Sequence, residues 1–314
     1  MRPLALALAL LLSACAVIRL PLGTSEAHRE VSLLGEGTGK VLLVEVSGTL
    51  SFRSPWSPPG LGRGESLPAR VRADLDWGRK DPQVKALLVK IDSSGGTVAA
   101  SDVVLHEILS FREEKGVPVV AVILERGLSG GYYVALGADE ILALPAALVG
   151  SVGVFVAKLD ASILLERWGV RSEITKAGAQ KDLLSPLRPL GPEEQETLRE
   201  IVDAFQDRFV EALRAARPGV RDADLEVIAT GAPFTAQRAQ ELGMIDRVGY
   251  LDDAFRAALE RAGLEDGRLV AYRRGSAARG NPYALGTLLG GIEAGPILLD
   301  PSAVEELFQA ELRY

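Results

Sequence analysis

The stretch 84–96, VKALLVKIDSSGG, joins a short apolar run to a turn that ends in two glycines. Apolar runs of this length with branched side chains are typical of strands buried inside a sheet. Comparable runs lie at 41–46, 117–124 and 140–144, and helical patterns at 67–79, 100–114 and 130–137 separate them. The alternation predicts parallel strands joined by right-handed crossovers, and therefore a layered α/β domain.

The composition fits a globular protein with a sizeable buried core. Of 314 residues, 47% are hydrophobic and 25% are charged, and the formal net charge is −7. An acidic balance of this kind gives no electrostatic footprint for a nucleic acid, so no nucleic-acid partner is predicted.

The pattern changes to helices after residue 190. Pro192 followed by two glutamates predicts a helix start, and one apolar stripe continues through Leu198, Ile201, Val202, Phe205, Phe209 and Leu213. Shorter helices are predicted at 222–229, 236–242 and 251–262. We expect one folded domain over 39–264 and a C-terminal extension of unknown role over 265–314.

Residues 1–14 have the features of a secretory signal, with Arg2 ahead of an apolar run. The sequence Leu12-Ser13-Ala14-Cys15 resembles a bacterial lipobox, in which the cysteine is acylated and becomes the mature N-terminus. Cys15 is the only cysteine, so an internal disulfide is excluded. The sequence therefore predicts a lipid anchor, a tether over 15–38 and a body outside the cytoplasm, held at a membrane of a bacterial cell envelope. An uncleaved signal anchor is the alternative.

The segment 51–68 is rich in proline and glycine and separates the first strand from the first helix. No helix or central strand tolerates that composition. It is either a mobile surface loop or a lip that contacts membrane or substrate through Phe52 and Trp56.

Ser129 is the candidate nucleophile because it lies in a glycine turn, 126–131, between a strand and a helix. The turn at 92–96 also follows a strand, and parallel sheets build their sites at the carboxyl ends of their strands. A serine at such a helix start holds its hydroxyl exposed. Helix capping without any chemistry is the alternative reading of this turn.

The same two turns offer donors for an oxyanion. The backbone N–H of Gly130, at the helix start, and one from Gly95 or Gly96 can stabilise negative charge that develops on a carbonyl oxygen.

A lysine is the base to expect for Ser129. The chain has only two histidines, His28 next to the export segment and His106 in an ordinary amphipathic stretch, and arginine stays protonated in proteins. Among eight lysines, Lys181 in the segment 178–182 (GAQKD) is the candidate. A lysine base has to be deprotonated and hence buried in an apolar setting, whereas most lysines are solvated surface charges.

These motifs together resemble bacterial signal peptide peptidase A in its short, single-unit form. The resemblance covers residues 40–262 in the right order and rests on DSSGG at 92–96, SGGYY at 129–133, VGSVGV at 149–154, Lys181-Asp182 and Ser185-Pro186. Two positions depart from the family pattern, since Asp92 stands where asparagine is usual and Ser94 where proline is usual.

The resemblance implies a Clp protease/crotonase-like fold with a parallel sheet and a helical C-terminal portion. It implies a serine endopeptidase with a Ser/Lys dyad, in which Ser129 is the nucleophile, Lys181 the general base, and the N–H groups of Gly130 and of Gly95 or Gly96 the oxyanion donors. It also implies a membrane-tethered enzyme that degrades cleaved signal peptides and other extended apolar peptides. Relatives of this form assemble as ring-shaped homo-oligomers, in which a neighbouring protomer can present the lysine.

No cofactor and no metal are predicted, because neither histidine has a partner at metal-ligand spacing and the only cysteine lies at the anchor. Two other functions stay open. One is a crotonase-like enzyme that acts on acyl-thioesters, and the other is a non-catalytic lipoprotein that serves as a scaffold.

Overall fold

A computed structural model describes residues 28–54 and 65–274. The predicted signal at 1–14, the lipidation candidate Cys15 and the aromatic Trp56 lie outside the described residues, as does most of the predicted extension at 265–314. No helix in the described part is both long enough and apolar enough to cross a bilayer.

The described residues form nine strands and eight helices. The strands are β1 His28–Leu34, β2 Lys40–Ser47, β3 Val84–Ser93, β4 Val119–Leu128, β5 Glu140–Ala143, β6 Leu148–Gly150, β7 Pro233–Thr235, β8 Arg247–Val248 and β9 Arg268–Arg274. The helices are α1 Leu67–Lys80, α2 Val98–Lys115, α3 Gly130–Ala135, α4 Ser162–Arg167, α5 Pro192–Ala216, α6 Asp222–Ile228, α7 Ala236–Glu241 and α8 Leu251–Arg261.

One sheet runs in the order β1-β9-β2-β3-β4-β5-β8, with β6 beside the end of β4 and β7 beside β6. The strands from β9 to β8 are mutually parallel, whereas β1 is antiparallel to β9 and β7 to β6. The predicted parallel sheet and helical C-terminal portion are confirmed.

Both faces of the sheet are covered, which explains the continuous apolar runs in the sequence. Along β3, Leu87, Val89 and Ile91 face the core formed with α1, α2 and α3. The alternate residues Ala86 and Leu88 face a second core, formed with α8.

The sheet extends beyond the predicted domain limits of 39–264. Residues 28–34 of the predicted tether form β1, which pairs with β9, and β9 pairs in turn with β2. β1 is an edge strand of mixed composition, HREVSLL, so its sequence lacks the apolar run that marks the central strands.

The long helix α5 differs from the prediction in how much of its apolar stripe is covered. Phe209 and Leu213 are buried, but Ile201 and Phe205 are each 40% exposed. The first half of α5 therefore leaves part of its apolar stripe exposed on the described part of the chain.

Candidate active site

Ser129 directly follows β4 and is the N-cap residue of helix α3. Its backbone has φ 47° and ψ −119°, a conformation that residues with a side chain rarely adopt. The Ser129 N–H donates to the Gly150 carbonyl at 2.8 Å, and the Ser129 carbonyl accepts from the Tyr133 N–H at 2.9 Å. The strained turn is thus fixed from both sides, which is common at functional sites.

Two glycines allow α3 to pack closely against α2 and against the end of β3. A Cβ atom at Gly130 would lie 2.2 Å from Ser101 Oγ, and a Cβ atom at Gly131 would lie 2.7 Å from the Ser93 carbonyl oxygen. Close packing therefore requires both glycines of the Ser-Gly-Gly turn, whereas the Ser129 side chain makes no capping hydrogen bond and stays available for chemistry.

The two glycine turns meet, as the sequence predicts. A Cβ atom at Gly95, where φ is +104°, would lie 2.9 Å from both the Gly130 nitrogen and Ser129 Cβ. The Gly95 N–H already donates to Ser93 Oγ at 3.1 Å, whereas the N–H groups of Gly96 and Gly130 make no hydrogen bond among the described residues. Among the predicted oxyanion residues, Gly96 and Gly130 hold the available donors, and Gly95 provides the close approach.

A cavity of about 160 Å³ opens beside Ser129, with Gly96 and Gly130 in its wall. Its other walls are mainly apolar and come from α2, the segment after β6, and α5: Val98, Val154, Phe155, Phe205 and Phe209. A site of this shape accepts an apolar side chain next to the nucleophile.

Lys181 lies in the turn between α4 and α5, and its side chain is exposed. It is not among the described residues that line the Ser129 cavity. The neighbouring Asp182 is held by Arg188, whose Nε and Nη2 donate at 2.8 and 2.7 Å, and by Lys176. These cations hold the pKa of the Asp182 carboxyl well below its usual range. Within one chain the structure brings Ser129, Gly95, Gly96 and Gly130 together and leaves Lys181 apart from them.

The segment that carries Lys181 is notable for its exposed apolar side chains. We call residues 153–187, between β6 and α5, the exposed arm. Phe155 is 83% exposed and Trp168 is 75% exposed, and the helix α4 inside the arm buries none of its residues. Ile163, Leu164, Leu159 and Val170 are also about half exposed or more. Several large apolar side chains exposed within one segment indicate an interaction site.

The described residues offer no alternative base or metal site of the usual kinds at this cavity. The His106 side chain lies exposed on α2, 3.5 Å from Ser110 Oγ, and is absent from the cavity lining. Within 28–54 and 65–274, His, Cys, Asp and Glu form no group of three or more that could hold a metal ion.

Tyr133 and Arg208 line the cavity and Asp102 binds both of them, and none of the three was predicted from the sequence as a site residue. The Tyr133 hydroxyl donates to Asp102 Oδ1 at 3.1 Å, and Arg208 Nη2 donates to the same oxygen at 2.7 Å. They lie on three different helices, so nothing local in the sequence links them.

Comparison with known proteins gives consistent matches. The profile of peptidase family S49 matches residues 112–265. The chain is 31% identical over 251 residues to an Enterococcus faecium protein named as a signal peptide peptidase SppA, covering 80% of this chain and 72% of that one. It is 32% identical over 231 residues to the serine protease SPPA, chloroplastic, of Arabidopsis thaliana, covering 73% of this chain but 33% of that one. A mutant ClpP1 from Listeria monocytogenes gives a TM-score of 0.43 at 15% identity, covering 69% of this chain and 94% of that structure.

Proposed function

Because this chain belongs to the signal peptide peptidase A proteins of peptidase family S49, we propose that it cleaves signal-peptide remnants and other extended apolar peptides with Ser129 and Lys181. Family membership makes it a serine peptidase with a Clp protease/crotonase-like fold, rather than an acyl-thioester enzyme or a scaffold. One observation carries the assignment of the nucleophile: a strained serine shares an apolar cavity with two available backbone N–H donors.

The proposed reaction has two steps. The neutral Lys181 amine takes the proton from Ser129 Oγ, and the oxygen attacks the peptide carbonyl carbon. The N–H groups of Gly96 and Gly130 stabilise the oxyanion, a contribution of roughly 3 kcal/mol for each donor. The lysine then gives its proton to the leaving amine, and an acyl-enzyme remains. In the second step a water molecule, deprotonated by Lys181, releases the acyl group as a carboxylate and restores the Ser129 hydroxyl.

An extended substrate has a place to bind beside this site. Residues 153–157 follow β6 without regular structure, and their backbone makes no hydrogen bond to other described residues. Such a segment can pair with the backbone of an added strand, which supports binding of peptides in an extended conformation. The apolar cavity next to Ser129 then receives a side chain of that strand.

We further propose a homo-oligomer in which a neighbouring protomer supplies Lys181. Two observations support it: Lys181 lies on the exposed arm rather than at its own Ser129 cavity, and the arm presents apolar side chains that a partner can cover. An isologous or ring contact through the arm buries this surface and completes the dyad at the same time.

The proposed location is the outside of the cytoplasm, with Cys15 lipidated as the membrane anchor. The prediction is that mass spectrometry of the membrane-extracted protein finds a lipid-modified N-terminal peptide that starts at Cys15. The Cys15→Ser variant should keep the signal segment and carry no lipid. An unmodified Cys15 in the mature protein, or an intact Met1, would contradict the anchor.

The substrate class is tested with two fluorogenic peptides of equal length, one from the apolar core of a signal peptide and one rich in charged residues. We expect kcat/KM to be at least about tenfold higher for the apolar peptide, because an apolar cavity gains little from a charged side chain and leaves it desolvated. Equal values for the two peptides would reject the proposed substrate class.

A further inference from the structure

The cavity beside Ser129 has one charged residue among its described lining, and that residue is a cation. Arg208, on α5, contributes to the wall together with Tyr133 from α3. Asp102, on α2, binds both of them but does not itself line the cavity. The ion pair is therefore oriented with Arg208, rather than Asp102, on the side of the space that a substrate side chain enters.

The contacts of Asp102 fix this orientation. Its Oδ1 accepts from Arg208 Nε at 3.2 Å, from Arg208 Nη2 at 2.7 Å and from the Tyr133 hydroxyl at 3.1 Å. The Tyr133 ring meets the Phe209 ring edge-on, with 5.0 Å between the ring centroids, so the cluster is continuous with the apolar wall. Contacts among three helices thus hold Arg208 in the wall of the cavity.

No negative charge from this cluster faces the cavity. Burial, and after it the neighbouring Asp102, raises the pKa of Tyr133, so its phenol stays neutral and acts as a donor. The hydrogen bond and charge of Asp102 raise the pKa of Arg208, which carries its charge at every relevant pH. A cationic side chain that entered the cavity would meet the like charge of Arg208, which Asp102 holds at the cavity wall.

We propose that Arg208 is a specificity-determining residue that excludes lysine and arginine side chains from the cavity beside Ser129. The inference rests on the proposed function, in which this cavity receives a substrate side chain. It directs cleavage to uncharged apolar positions of peptides that also carry basic residues, such as signal peptides with a basic start and an apolar core. Repulsion of this kind is a form of selection against the wrong group rather than added affinity for the right one.

The pair contributes little to folding, which makes the inference testable by mutation. The Arg208 side chain is 57% exposed and the Asp102 side chain is 36% exposed. Ion pairs at such exposure have small effects on stability. Changes in peptide selectivity are therefore separable from changes in folding.

The test compares peptides that differ only by norleucine or lysine at the residue whose side chain enters the cavity. That residue is found by mass spectrometry of the products from a peptide series in which lysine is moved one position at a time. The quantity measured is the ratio of kcat/KM for norleucine to kcat/KM for lysine. In the wild type we expect this ratio to exceed the ratio in Arg208→Met by about tenfold, as expected for two like charges near a protein surface.

Two further variants test whether the kcat/KM ratio changes in the direction that the charge of Arg208 predicts. Asp102→Asn removes the charge that balances Arg208, so the ratio should rise above the wild-type value, whereas Arg208→Lys keeps the cation and should keep the ratio near it. Arg199→Met, an exposed change on the same helix, serves as the matched control and should leave the ratio unchanged. Melting temperatures check that every variant folds.

An unchanged ratio in Arg208→Met, or a shift in the same direction in Arg208→Met and Asp102→Asn, would overturn the inference. Hydrolysis that persists in Ser129→Ala would instead overturn the proposed function. The two failures are distinguishable because the first concerns selectivity and the second concerns the presence of activity.

Discussion

Replacing Ser129 by alanine is expected to lower kcat/KM for apolar peptides by roughly ten thousandfold or more, because no acyl-enzyme can form. Only the oxyanion donors and substrate binding remain in this variant. Alanine has the same backbone requirement as serine at φ 47°, so the fold should be unchanged. The measurements are initial rates with the signal-peptide substrate and thermal unfolding followed by circular dichroism.

Ser94→Ala is the matched control, because Ser94 is an exposed serine in the neighbouring glycine turn. Its kcat/KM should stay within about twofold of the wild type, as is usual for exposed positions. If Ser129→Ala retained most of the activity while folding normally, another nucleophile would have to be found.

Replacing Lys181 by methionine is expected to lower kcat by roughly a thousandfold, because an unassisted serine hydroxyl is a poor nucleophile near neutral pH. Methionine preserves most of the length of the side chain without the amine. Lys85→Met, on an exposed position of β3, is the control and should retain activity. Normal activity in Lys181→Met would remove Lys181 from the mechanism.

Mixing the two inactive variants distinguishes a dyad within one chain from a dyad across two. When equal amounts of Ser129→Ala and Lys181→Met subunits exchange freely in one oligomer, about one quarter of the sites should pair an intact serine with an intact lysine of a neighbour. Recovery of activity near that fraction is the expected result. No recovery, with subunit exchange demonstrated, would place both residues of the dyad in the same protomer.

The central strands could be predicted because a strand that is buried on both faces has a continuous run of apolar residues. β2, β3, β4 and β5 appear as continuous apolar runs, whereas the edge strand β1 is half exposed and its HREVSLL reads as a tether. The predicted domain limit of 264 excludes β9 for a related reason. Its sequence, RLVAYRR, has only a short apolar part between arginines, which does not indicate a strand. β9 is recognisable as a strand only from its pairing with β1 and β2 in the folded structure.

The site was predictable where it depends on local sequence. The Ser-Gly-Gly turn marks Ser129 because a Cβ atom at either glycine would collide with Ser101 or Ser93. The sequence did not reveal that the Gly95 N–H donates a hydrogen bond to Ser93 Oγ. It also did not reveal that Tyr133 and Arg208 both bind Asp102. These contacts join residues far apart in the chain, and each side chain alone is ordinary for an amphipathic helix.

The most direct measurement is to identify the residue that a fluorophosphonate probe modifies, by tandem mass spectrometry of the digested, labelled protein. The account predicts an adduct on Ser129 in the wild type, and little or none in Lys181→Met under the same conditions. An adduct on a different serine, or a folded and proteolytically active protein that takes up no label, would contradict it.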